Sequence, residues 1–309
     1  MSEEPLASVV ITTHNRWDEL VLAVESALAQ SVPVEVLVMD DGSTDRTAEV
    51  MKTRFPSVRF ERSEIPRGLI VQRNRAARLV RSRIIFSIDD DAMFTSPHVV
   101  KQTLARFDNG RVGAVAIPYV EPRKSSTIYQ QAPSSDGVFV SGWFIGTAHA
   151  LRKDVFLRVG GYRDCLFHHG EEMDYSIRML QAGYVIRLGH GDVIHHMESP
   201  RRDAERVDYF GRRNDVLFAW HNVPMPYLPV HMAGTTVNGI KTAWRVGRLS
   251  RKMIRGMLSG YADCWQRWKM REPVPPAIYR LHRLLRTSGP QLLSDIEAFL
   301  PTPATGHRG

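Results

Sequence analysis

Over the first 199 residues, short apolar, β-branched runs alternate with stretches whose apolar positions recur every three to four residues. Period two marks half-buried strands and a period near 3.6 marks helices, so the alternation predicts a mostly parallel sheet with helices on its faces. Strands are expected at Val9–Thr12, Val34–Met39 and Arg83–Ile88, a short one at Val58–Glu61 and another at Gly113–Pro118. Helices are expected at Asp18–Gln30, Thr44–Phe55, Leu69–Val80 and Val99–Phe107. In the first of these, Leu20, Val24, Ala27 and Leu28 share one face. Residues 121–141, rich in Ser, Gln and Pro, read as a loop able to move over a site. Beyond Pro200 strand signals fade, which divides the chain into an α/β domain (1–199) and a helical extension (200–309).

Charge sharpens that division. Residues from Pro200 onward carry 18 Lys+Arg against 8 Asp+Glu, a net +10; the first 199 carry 23 against 25, a net −2. A basic third of this kind suits a polyanionic neighbour. No nucleic-acid motif accompanies the arginines, so nucleic acid is not expected. Val216 to Ile240 is uncharged, but Pro224, Pro226 and Pro229 with several His and Asn argue against a membrane-spanning helix; a buried, interrupted helical region is expected. From Lys241 to Arg271, Val246, Leu249, Met253, Met257, Leu258, Tyr261, Trp265 and Trp268 recur at helical spacing among Arg245, Arg248, Arg251, Lys252 and Arg255. Such a helix either lies on an anionic membrane surface or packs on the α/β domain with its charges solvated.

The two cysteines, Cys165 and Cys264, lie far apart, which excludes a disulfide framework and a Cys-x-x-Cys metal site. The acidic start Met1–Pro5 leads directly into strand residues and fits no secretory signal. A cytoplasmic location is expected, peripheral on the cytoplasmic face of a membrane if the helical extension docks there.

The chemistry gathers at strand ends. Asp89-Asp90-Asp91 closes the apolar run Ile84–Ile88. Adjacent carboxylates raise one another's pKa unless a cation lies among them. Hard divalent ions take oxygen ligands together with substrate phosphates, and open α/β sheets bind ligands at the carboxyl ends of their strands. The second strand likewise runs into Asp40-Asp41-Gly42-Ser43-Thr44-Asp45. Further along come Gly160-Gly161-Tyr162 and Gly170-Glu171-Glu172-Met173-Asp174, an acidic helix start that also complements a helix dipole.

Five segments, in order, resemble the family 2 glycosyltransferases: Val9–Arg16, Asp40–Asp45, Gly68 with Arg73-Asn74, Ile88–Asp91, and Val159–Asp164 with Gly170–Ser176. The resemblance covers roughly residues 6–199. It implies a GT-A fold, with a Rossmann-like sheet that binds a nucleotide-diphosphate sugar, Mn2+ or Mg2+, and inversion at the anomeric carbon. It implies Glu172 as catalytic base, where the family has Asp, with Glu171 or Asp174 as alternatives. It places Thr13, Asn15 and Asp41 at base and ribose, Arg73 and Asn74 near the nucleotide, Asp91 on the metal, and Asp89 on ribose or metal.

In some relatives a His after the last strand completes the metal site or touches the diphosphate, while a His beside an apolar strand is otherwise structural; as a ligand, His195 is slightly preferred over His196. Alternation along a strand sends the other to the opposite face. Arg201, Arg202 and Arg206 are candidates for the diphosphate, or a solvated basic loop. His168-His169 is expected near the acceptor. Trp143 and Phe144 offer either a stacking surface or core packing.

The acceptor expected from the resemblance is a glycan or a lipid-linked sugar. A sugar-1-phosphate nucleotidyltransferase would need a Gly-rich phosphate loop after the first strand, which Thr12–Asn15 lacks. A degenerate binding protein is disfavoured by intact Asp89, Asp91 and Glu172. Gln266-Arg267-Trp268 only echoes the element of processive synthases, so a non-processive enzyme is expected.

Overall fold

The structure is a computed structural model that describes residues 5–201, 203–245 and 251–303. In chain order its N-terminal half comprises β1 (Ala7–Thr13), α1 (Trp17–Leu28), β2 (Val34–Asp40), α2 (Thr47–Arg54), β3 (Arg59–Arg62), α3 (Leu69–Leu79), β4 (Ile84–Asp89), β5 (Ala92–Phe94) and α4 (Val99–Leu104). Then follow β6 (Val112–Ala116), β7 (Tyr119–Val120), β8 (Phe139–Ser141), β9 (His149–Arg152), α5 (Lys153–Val159), α6 (Glu171–Gln181), β10 (Val185–Leu188) and β11 (Ile194–His196). The chain closes with α7 (Ala204–Asn222), α8 (Tyr227–Arg245), α9 (Arg251–Gln266), α10 (Pro276–Thr287), β12 (Gln291–Leu292) and α11 (Leu293–Ile296).

Nine strands form one sheet in the order β12-β8-β10-β6-β9-β4-β1-β2-β3. β1 is buried at every residue because it pairs in parallel with β2 and β4 and is covered on both faces. The sheet from β4 to β3 is wholly parallel, as expected from the sequence. β9 enters antiparallel between β4 and β6. Its four residues are too few for a strand alternation to stand out. A second, three-stranded sheet, β5-β11-β7, lies beyond the aspartate end of β4.

The 121–141 stretch is anchored rather than free. Tyr129 pairs with Tyr119, and the Gln130 side chain donates to the carbonyls of Ile117 and Ala148 while accepting from the Ile145 N–H. These bonds satisfy backbone groups that a strand ladder would otherwise engage.

After residue 200 the helices join the core built by the α/β region. Val216 and Leu217 of α7 and Cys264 of α9 pack with Tyr175, Phe156 and Leu188. Ile278, Leu281 and Leu285 of α10 pack with Val112, Val140 and Ile177, and β12 extends the main sheet beside β8. Each buried aliphatic side chain contributes about 1.5–3 kcal/mol, so these contacts bind the helical region firmly to the sheet.

The uncharged run 216–240 is interrupted as expected, at Val223–Pro226 between α7 and α8. It is not uniformly buried: α7 is covered, whereas Val230 and Val237 on α8 face outward. Arg202, Val246, Arg248 and Leu249 lie outside the described residues.

Candidate functional site

The carboxyl ends of β1, β2 and β4 open into one cavity of about 870 Å³, walled on the other side by the start of α6, the 143–147 turn and the residues after β11. Thr13, Asn15, Asp41, Arg73, Asp89 and Glu172 all line it.

The three aspartates do different work because successive residues at a strand end point in different directions. Asp90 is buried at the cavity wall: it accepts from Thr13 Oγ1 at 2.8 Å and from Arg16 at 2.8 Å. Burial first, and then the neighbouring charge of Asp91, push it up to about 7 against the pull of Arg16. Asp89, partly open to the cavity, pairs with Arg73 at 2.8 Å. Asp91 is buried; its Oδ2 accepts the Ser199 N–H at 2.7 Å and lies 3.7 Å from Arg16, while its Oδ1 accepts no hydrogen bond from any described residue.

That Oδ1 faces His196, whose Nε2 is 3.6 Å away. Ligand atoms of Asp89, Asp91 and His196 all fall within 4.8 Å of one another. Two carboxylates and an imidazole fit a divalent cation. The slight preference for His195 is corrected here. Antiparallel pairing of β11 with β5 sets His196 opposite Ala92 and buries it beside Asp91, which turns His195 to the other face. His196 Nδ1 in turn lies 3.4 Å from Glu121.

Across the cavity, α6 begins at Gly170, whose φ of +81° suits glycine. Two preceding residues, Phe167 and His169, also have positive φ, so the turn that aims the acidic helix start is conformationally costly. Asn214 of α7 holds it by donating to the carbonyls of Leu166, His168 and His169. Both histidines line the cavity, on the side of Glu172.

Glu171 is buried and paired with Arg73 at 3.1 Å. Glu172 reaches the cavity, with 19% of its side chain exposed, 3.9 Å from the same guanidinium. Burial first and the Glu171 charge second push Glu172 up to about 8; burial also raises Glu171, opposed by Arg73. Asp174 points the other way, into Arg163, Arg178 and Asn222. Burial alone would raise its pKa, but Arg178 and Arg163 outweigh it and hold the group ionised. That position removes Asp174 from the alternatives for a base facing the cavity.

Arg73 is fully enclosed and links the two carboxylate sets, donating to Asp89, Glu171 and the Gly146 carbonyl. Asn74, its neighbour on α3, does not line the cavity. Its amide donates to the Tyr162 carbonyl and Asp164, and accepts from the Tyr162 N–H. One residue along a helix turns a side chain by about 100°, so the expected pair separates into a cavity residue and a clamp on the Gly-Gly-Tyr turn.

Asp41 accepts from the Arg67 and Gly68 N–H groups and from Gln72, shaping the loop before α3. Asn15 accepts from the N–H groups of Thr44 and Asp45, holding the turn after β2. Trp143 stands at the cavity wall, 43% exposed, while Phe144 is in the core against His149 and Tyr175. Arg201 and Arg206 line the cavity, Arg201 paired with Asp18. Arg16, Glu121 and Gly146 also shape the site, and the sequence patterns do not reveal them. None carries a local signal, because each meets its partner (Asp90, His196 and Glu172 respectively) from a distant part of the chain.

A mostly parallel sheet whose acidic strand tips open into a cavity, facing an enclosed arginine and an acidic helix start, is a ligand-binding architecture of the open α/β class. The chain belongs to glycosyl transferase family 2, whose sequence profile it matches over residues 8–163. It is 38% identical over 206 residues to the succinoglycan biosynthesis protein ExoU of Rhizobium meliloti, covering 59% of each chain. It is 22% identical over 211 residues to the N-acetylglucosaminyl-diphospho-decaprenol L-rhamnosyltransferase of Mycobacterium tuberculosis, covering 55% of this chain and 69% of the relative. The chain spans only 15% of the Escherichia coli chondroitin synthase that it also matches. Among solved structures, the mannosyltransferase PcManGT from Pyrobaculum calidifontis, in complex with GDP-Man and Mn2+, aligns over 96% of this chain and 85% of its own at a TM-score of 0.59 and 17% identity. That likeness establishes the GT-A fold.

Proposed function

We propose that this chain is an inverting, metal-dependent glycosyltransferase that moves a sugar from a nucleotide-diphosphate sugar to a hydroxyl of a glycan or lipid-linked acceptor. The process would be the synthesis of a cell-surface polysaccharide or glycolipid. One observation carries the reading: the donor atoms of Asp89, Asp91 and His196 lie within 4.8 Å of one another, and Asp89 and His196 line the same cavity as Glu172, with Arg73 between Asp89 and Glu172. The relatives support the process. ExoU is named for succinoglycan biosynthesis, and the rhamnosyltransferase is named for an acceptor carried on a decaprenyl diphosphate.

Asp89, Asp91 and His196 would hold Mn2+ or Mg2+, which supplies positive charge to the departing diphosphate. Thr13, Asn15 and Asp41, which line the cavity at the ends of the parallel strands, would contact the base and ribose. Glu172 accepts the proton of the acceptor hydroxyl as its oxygen bonds to the anomeric carbon. The bond from that carbon to the diphosphate oxygen breaks, and the diphosphate leaves with the electron pair. A single carboxylate acting once gives a single displacement and an inverted product. The raised pKa makes Glu172 a stronger base than a solvated carboxylate. Arg73 tempers that rise.

The test is transfer from a panel of nucleotide sugars, with and without Mn2+. Asp91→Ala should abolish metal-dependent transfer with the fold intact, and Glu172→Gln should keep donor binding but lose transfer by about 10²–10⁴-fold. Full turnover in excess chelator would count against the metal role, and turnover surviving in Glu172→Gln would move the base to Glu171.

A further inference from the structure

α9 carries two apolar stripes. Met253, Gly256, Gly260 and Cys264 form the first, which is buried against α7. The glycines permit a close approach: a Cβ on Gly260 would lie 2.7 Å from the Arg213 carbonyl oxygen, and one on Gly256 would collide with the Tyr209 carbonyl. Ile254, Leu258, Tyr261 and Trp265 form the second, spaced four, three and four residues apart and turned about 100° from the first. It is uncovered: Leu258 is 62% and Trp265 83% exposed. α8 repeats the feature with Val230, Val237, Ile240 and Trp244, of which Trp244 is 78% exposed. The two helices adjoin, since Thr236 and Tyr261 share a hydrogen bond of 2.6 Å.

An uncovered apolar stripe on each of two neighbouring helices calls for a covering surface. The charge around them selects it. Residues 241–271 contain nine Lys+Arg and a single acid, Asp263, which is already paired with Arg213 at 2.6 Å. Lys241, Arg251, Arg255 and Lys269 are exposed. A second copy of this chain would bring the same positive charge against itself, whereas an anionic bilayer complements it. Trp244, Trp265 and Trp268, all exposed, suit the headgroup level, where the indole ring keeps one wet edge. No described helix is long and apolar enough to cross a membrane.

We propose that the outer faces of α8 and α9 dock in the headgroup region of an anionic lipid bilayer, lying along it. A second cavity of about 640 Å³ runs between α7 and α9, lined by Leu258 and Arg255 at one side and by Asp203 and Arg206, which also line the active cavity. The docked face thereby borders a groove that shares two wall residues with the cavity holding Glu172. The use of that groove by a lipid-linked acceptor rests on the transferase reading above; docking itself does not.

The experiment is co-sedimentation of the full chain with vesicles of phosphatidylcholine alone or mixed with phosphatidylglycerol, without donor or acceptor. Binding is expected only to the mixed vesicles and is expected to weaken as salt is raised. Trp244→Glu/Trp265→Glu should abolish it. Lys241→Glu/Arg251→Glu, at two exposed positions, should weaken it by about tenfold or more. No binding of the parent chain to the mixed vesicles would overturn the proposal. So would unchanged binding by the charge variant, or a tryptophan variant that separates a dimer while still binding vesicles. Solution transfer with a water-soluble acceptor is read separately, so failure of docking and failure of the transferase reading give different results.

Discussion

Gly146 leaves the space that the carboxylate of Glu172 occupies: a Cβ on Gly146 would collide with Glu172 Oε1 and stand 2.8 Å from Arg73 Nη1. The proposed base is therefore placed by a residue that contributes no side chain. Gly146→Ala should displace Glu172 and Arg73 together. Misplacement of about 1 Å costs a rate on the order of 10²-fold, so kcat should fall strongly, and by more than donor affinity falls. Steady-state kinetics against a nucleotide-binding titration checks the split.

The pH dependence of transfer follows from the pair Glu171–Glu172. A base must be ionised to act, and burial with the Glu171 charge raises Glu172 to about 8. Transfer should therefore rise with pH through that region and level off above it. Glu171→Gln removes the like charge and should move the rising limb to lower pH. A limb that stays in place would show that burial alone sets the value.

His196 Nδ1 lies 3.4 Å from Glu121, and its Nε2 faces Asp91. A carboxylate on one ring nitrogen orients the other toward a cation and raises its basicity. Glu121→Gln should weaken Mn2+ affinity by about 10–100-fold, as read by the electron paramagnetic resonance signal of free Mn2+. His196→Ala should weaken it at least as much, and His195→Ala should leave it unchanged.

Asp174 supports the fold. It is fully buried between Arg163 and Arg178, and its pKa is lowered because their attraction exceeds the burial penalty. A depressed pKa contributes stability above the unfolded value of 3.8, and that stability is lost as pH falls through the folded value. Breaking one partner of a buried pair costs about 3–5 kcal/mol. Asp174→Asn should therefore lower Tm sharply at pH 7, and the gap from the parent chain should narrow under acid. Thermal melts at the two pH values test this, and an unchanged melt at pH 7 would exclude the structural role.

Much of the site is legible in the sequence because its chemistry is local. Clusters of like charge at the ends of apolar strands are costly without a counter-charge, so Asp89–Asp91 and Asp40-Asp41 stand out from the residue pattern alone. Glu172 is singled out by the resemblance instead, because acids at a helix start are by themselves favourable to the helix dipole. The direction of Asn74 is not legible, because adjacency to Arg73 says nothing about which way a helix turns each side chain. Arg16, Glu121 and Gly146 carry no local mark because each acts on a residue distant in the chain.

Period two along β11 dictates that His195 and His196 face opposite ways, and that much belongs to the sequence. Which of them meets Asp91 depends on how β11 aligns with β5, a long-range register that no local pattern encodes. Likewise the apolar period in α9 is readable from the chain, but only packing against α7 decides that one stripe is used and another left uncovered. Local periodicity and charge specify elements and their faces; the pairing of distant elements decides which faces meet.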